Sequence, residues 1–171
     1  MSLDAGGCQR TLPSSIVRKS IITTVFTVLL SSCYRSPVNV LSDLPNPNLT
    51  PGNAASTDTT EVCVIGYARN SFISDDSKRY VYSRYGVHYV PHTAEMDHLI
   101  PLELGGSNTV DNLWPEPFDT IWNAHVKDTL EDRIEQLVCS GQINLIEAQT
   151  AISNNWIDLY KKVFHTELPP S

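Results

Sequence analysis

A chain of 171 residues, 41% of them hydrophobic, is the size of one ordinary domain with extensions and has enough apolar material for a core. Its formal charge of -7, from 12 basic and 19 acidic residues, argues against broad electrostatic capture of nucleic acid, which relies on clustered Lys and Arg. A local basic groove is not excluded by that balance.

Residues 1–32 read as an export signal. Arg10, Arg18 and Lys19 precede the apolar run SIITTVFTVLL, which is shorter than the roughly 20 residues that a bilayer span needs. The run leads into LLSSC, where Leu30, two serines and Cys33 resemble the bacterial lipobox; that likeness implies cleavage of the signal and acylation of Cys33. A plain cleaved secretory signal is the nearest rival. Loss of this segment removes Arg10, Arg18, Lys19 and Asp4, so the remainder is more acidic still. Export also leaves Cys63 and Cys139 as an isolated pair in an oxidising compartment, once Cys8 departs with the signal and Cys33 carries lipid. A Cys63–Cys139 disulfide is therefore predicted, worth roughly 4 kcal/mol in the chain-entropy account. Two distant cysteines are too few ligands for a zinc site.

Residues 33–60 are rich in Pro, Asn, Ser and Thr and have no helical or strand period, which predicts a flexible tether or an irregular wrap. The domain proper is expected over 61–168. It begins with a predicted strand in EVCVIGY (61–67), followed by a helix in SDDSKRYVYSRYG, which opens on a Ser/Asp cap and stops at Tyr85-Gly86. Two strands are expected in AEMDHLIPL and TVDNLWPE, with ELGGSN supplying the turn between them. From Asp119, Ile121, Val126, Leu130, Ile134, Leu137 and Val138 recur near a 3.6-residue period, and Gly141 ends that helix. A last helix, LIEAQTAISNNWIDLYKKVF, turns Ile146, Ala148, Ile152, Trp156 and Leu159 toward the core.

This order places Asp97 and His98 on a first strand, a glycine turn, Asn112 on a second strand, and Asn123, His125 and Lys127 on a helix. DHLIPLELGGSNTVDNLWPE followed by NAHVKD resembles the ββα-metal fold of the HNH endonucleases. The flanking VCVIGYARN and LVCSGQINLIEAQTAISNNW also resemble exported bacterial members of that group. The resemblance implies an α+β protein with a ββα-metal core and additional flanking helices. It further implies hydrolysis of DNA, or RNA, phosphodiesters with a divalent ion: Mg²⁺ first, with Mn²⁺, Ni²⁺ and Zn²⁺ as alternatives.

By the family pattern His98 is the general base, Asp97 is a metal ligand and Asn112 holds the inter-strand loop. The helix ligand departs from the commonest spacing: Asn123 is favoured and His125 is close behind. Arg69, Arg84 and Lys127 are the candidates for phosphate contact, although for Lys127 an ordinary solvated side chain competes. The residue types also suit the chemistry on their own terms. Phosphodiester hydrolysis needs a base for water and a cation against the growing charge, with ligands to hold that cation. No sequence-reading element is present, so cleavage is expected to be largely non-specific. The alternative from another class is a non-catalytic envelope lipoprotein that uses the same scaffold for binding.

Overall fold

The structure is a computed structural model that describes residues 41–67, 72–89 and 92–170. The expected signal, Cys33 and Arg69 lie outside the described residues. The protein is α+β: helix α1 (Thr59–Val62), helix α2 (Asp75–Arg84), strand β1 (Ala94–His98), a 3-10 turn (Leu102–Leu104), strand β2 (Leu113–Pro117), helix α3 (Ala124–Cys139) and helix α4 (Leu145–Phe164). No described helix is long and apolar enough to cross a membrane.

Local chemistry sets most of these boundaries. The Ser74 side chain accepts from the Ser77 amide to open α2, Asp75 and Asp76 sit in its positive first turn and Arg84 in its last. Asn123 caps α3 by accepting from the Val126 amide, and Asn144 caps α4 by accepting from those of Ile146 and Glu147. Two expectations fail here. Residues 61–67 do not form a strand, because Asp58 accepts from the Thr60 amide at 2.8 Å and seeds the helical turn of α1 instead. Ile121 and Ile146 are not core residues: α3 starts only at Ala124, leaving Ile121 67% exposed, and Ile146 points outward from the first turn of α4 at 54%.

β1 and β2 form an antiparallel pair with Glu95 opposite Glu116, Asp97 opposite Trp114 and His98 opposite Leu113. Pro115 and Pro117 are tolerated because a two-stranded sheet has only edges. The 3-10 turn and the Gly105-Gly106 pair fold the connection tightly under the domain. Gly105 has φ +77, and a Cβ on Gly106 would lie 1.8 Å from the Ile100 carbonyl oxygen.

The core lies between α3, α4 and this connection: Leu99, Leu104, Trp114, Leu130, Ile134, Val138, Ile152 and Trp156 are almost wholly buried. Each such side chain contributes on the order of 1.5–3 kcal/mol. Residues 41–60 take the form of a wrap rather than a loose tether. The Trp156 Nε1–H donates to the Asp43 carbonyl at 3.0 Å and buried Thr50 Oγ1 donates to that of Leu113 at 2.9 Å. Ala54 bridges Gly106, and the Gln149 amide donates to the carbonyls of both Ser56 and Leu104.

Cys63 and Cys139 are joined by a disulfide across a sequence separation of 76, tying the end of α1 to the end of α3. Replacing both with serine is expected to cost about 4 kcal/mol in the chain-entropy account, read as a lowered urea midpoint. An unchanged midpoint would mean that the denatured chain is already restrained there.

Candidate functional site

Successive residues on a strand point to opposite faces, so Asp97 and His98 separate at once. Asp97 lies with Glu95 on one face, beside their partners Trp114 and Glu116 from β2. α3 covers this face. Lys127, fully buried, donates from Nζ to Asp97 Oδ2 at 2.6 Å, to the His98 carbonyl at 2.9 Å and to Glu131 Oε1. The Trp114 Nε1–H donates to the same Asp97 Oδ2 at 3.3 Å. One ammonium thus fixes both the carboxylate and the backbone of the Asp-His pair.

His98 leaves from the other side, 8% exposed, with Nε2 2.8 Å from Asn108 Oδ1. An amide oxygen only accepts, so this contact suits the tautomer with hydrogen on Nε2 and the lone pair on Nδ1. Asn112, wholly buried, staples the loop that supplies Asn108. Its Oδ1 accepts from the amides of Ile100 (2.9 Å) and Asn53 (3.3 Å), and its Nδ2 donates to the carbonyls of Ile100 (2.8 Å) and Ser107 (3.0 Å). Asn112→Asp keeps the volume but sets an oxygen against two carbonyls. We expect a loss of about 1–3 kcal/mol for each carbonyl left without a donor, measured by urea unfolding. Wild-type stability in that variant would deny the staple its role.

The helix candidates fare differently. Asn123 spends both ends of its amide on the cap: Oδ1 accepts from the Val126 amide and Nδ2 donates to the Thr120 carbonyl. His125 is exposed, stacked on Phe118 with ring centroids 5.4 Å apart and 3.8 Å from Asp128. Lys127 is neither solvated nor available to a phosphate, because it is enclosed between β1 and Glu131; its assignment to substrate binding is corrected here. Arg84 holds the inter-strand loop, 3.5 Å from both Asp111 and the Val110 carbonyl, and lies over the Tyr80 ring.

The face under α3 carries a surplus of acid. Carboxylate oxygens of Glu95, Asp97 and Glu116 lie within 4.8 Å of one another, and Asp128 and Glu131 approach from α3. Burial first, then the charges of Asp97 and Asp128, push Glu95 up to about 7. Burial and Asp97 drive Glu116 well above the usual carboxyl range, and burial, offset by Lys127, pushes Glu131 up to about 8. Burial disfavours the Lys127 ammonium, yet the charges of Asp97, Glu131 and Glu116 outweigh it and hold Lys127 firmly protonated.

Glu116, Glu131 and Asn108 are the residues that sequence reasoning did not single out. Glu131 had a signal in its i,i+4 spacing from Lys127, and Glu116 had one in its position opposite Glu95 once the hairpin register is drawn. Asn108 had none. Compared with protein-family models, curated proteins and solved structures, the chain matches none of them.

Proposed function

We propose that this protein is a metal-dependent endonuclease of the HNH type, with β1, β2 and α3 as its ββα-metal core, cleaving DNA or RNA with little sequence preference. The observation that carries the reading is the Asp97-His98 pair at the end of β1, pinned by Lys127 and followed by a loop that Asn112 closes with three of its four side-chain hydrogen bonds. In this reading His98 Nδ1 takes the proton of a water that attacks phosphorus in line, while Asn108 holds the ring and its tautomer. A divalent cation, when bound, would neutralise charge growing on the phosphate and the leaving 3′ oxygen. Asp97 would hold it; of the two helix candidates, Asn123 is committed to its cap and His125 is exposed beside Asp128. The product would carry a 5′ phosphate.

The disulfide supports an exported, periplasmic or membrane-anchored setting, with residues 1–32 as the signal and Cys33 as the acylated residue. The alternative, a non-catalytic envelope scaffold, is favoured by one observation: Asp97 is already paired with a buried lysine. Incubating the purified, oxidised protein with supercoiled plasmid separates the two. Nicking with Mg²⁺ or Mn²⁺ that chelator abolishes is the expected result. No nicking with any divalent ion, in a sample shown to be folded, would replace the nuclease by the scaffold.

A further inference from the structure

Glu116 is the anomaly among the described residues. It is 1% exposed, no N–H group donates to either of its carboxylate oxygens, and the side chain set against it is another carboxylate, that of Asp97. A carboxyl group so placed is costly to ionise unless a cation joins it. The hairpin register aggravates it by setting Glu95 directly opposite Glu116, an arrangement of like charges that destabilises an antiparallel pair. Asp97, two residues along β1 from Glu95, presents to the same face. Both described donors to Asp97, Lys127 Nζ and Trp114 Nε1, fall on Oδ2, which leaves Oδ1 for another partner.

The charges facing this spot come from every element around it. Glu95 and Asp97 lie on β1 and Glu116 on β2, while α3 supplies Asp128, Glu131, Lys127 and the exposed His125. Among the described residues, five carboxyl groups thus share one ammonium, which is already engaged with Asp97, Glu131 and the His98 carbonyl.

We propose that Glu95, Asp97 and Glu116 together form a binding site for a hard divalent cation on the α3 side of the hairpin, with Glu116, not Asn123, as the buried ligand. The donors are all carboxylate oxygens, which suits Mg²⁺, Mn²⁺ or Ca²⁺ and disfavours ions that seek nitrogen or sulfur. Their mutual spacing of up to 4.8 Å agrees. Two opposed oxygens around Ca²⁺ stand about 5 Å apart and around Mg²⁺ about 4 Å, so a modest side-chain movement or a bridging water closes the difference. The cation would supply the counter-charge that Glu116 lacks. This inference rests on the nuclease reading only in so far as that reading calls for a cation; its place rests on the carboxylates alone, on the face of β1 opposite to His98.

Terbium is a suitable probe, because it prefers the same hard oxygen ligands and is sensitised by a neighbouring indole, here Trp114 against Asp97. Titration of the full, oxidised protein with Tb³⁺ under tryptophan excitation, then competition with Mn²⁺, Mg²⁺ and Ca²⁺, should give saturable emission that those ions displace. Glu116→Gln removes the charge at constant volume and should weaken Mn²⁺ and Tb³⁺ binding at least about tenfold. Glu95→Gln, on a half-buried residue, serves as a second variant should the first fail to fold. Asn123→Ser, which retains a capping oxygen, should change binding less than about threefold.

Unaltered affinity in a folded Glu116→Gln or Glu95→Gln protein would overturn the site. So would a wild-type protein without saturable binding, in which protons neutralise the cluster instead. Saturable binding without plasmid nicking would retain the site and remove the nuclease. Metal-dependent nicking that survives in Glu116→Gln with affinity unchanged would do the reverse.

Discussion

His98→Ala is expected to lower metal-dependent nicking by about 10²–10⁴-fold, the usual contribution of a positioned general base, while stability falls by only about 1–3 kcal/mol, the cost of one buried ring and its hydrogen bond, so the variant stays folded in the assay. The ring is mostly enclosed and its Nε2 meets Asn108 Oδ1, which leaves Nδ1 as the proposed acceptor of the proton. Removing the ring deletes that acceptor and one side-chain hydrogen bond. Lys127 grips the His98 carbonyl, a backbone group that the substitution keeps. Cleavage and stability should therefore come apart: a structural histidine would lose both together. Added imidazole should restore part of the lost rate, because the space vacated by the ring admits a free base in its place. Wild-type cleavage by the variant would remove His98 from the mechanism, and the scaffold reading would gain accordingly.

The second large effect is on stability. Lys127→Met should cost about 3–5 kcal/mol, the range for breaking a buried ion pair from one side, measured by urea unfolding in the oxidised state. Methionine fills much of the lysine volume, so the loss reports charge and hydrogen bonding more than a cavity. What is left behind is Asp97, Glu131 and the His98 carbonyl without their shared donor. Adding Glu131→Gln to the same chain should return part of the loss, since one of the stranded charges disappears, and the double-mutant cycle isolates that coupling. A cost under about 1 kcal/mol would show that the buried acids take up protons easily enough to dispense with Lys127. Either way the expectation differs from that for a surface lysine, whose removal changes stability by a few tenths.

Much of the fold was legible along the chain because its signals are local. The cap at Ser74, the stop signals at Gly86 and Gly141 and the 3.6-residue apolar period of α3 all act within a few residues of themselves, whereas the caps at Asn123 and Asn144 emerge only from the structure. The two strands and the turn between them follow from strand-like apolar runs and paired glycines in the same way, and the Cys63–Cys139 pairing follows from counting what export leaves behind. The short range of such reasoning also explains its failures. EVCVIGY has strand-like composition, yet a single aspartate in front of it seeds a helical turn that ends at the disulfide-bonded Cys63.

What only the tertiary structure decided concerns charge. Lys127 and Asp97 are separated by 30 positions, and nothing near either one signals that the lysine is enclosed. The same holds for the wrap of residues 41–60, whose polar composition suits solvent but whose backbone groups find partners on the inter-strand loop and α4. Glu116 is the sharpest case, an ordinary acid in WPEP that the hairpin register turns into a buried neighbour of Glu95 and Asp97. Composition and periodicity determine which elements form. Which charges those elements enclose together depends on register and packing, because electrostatic energy is set by distance through space and by the water excluded from between the groups.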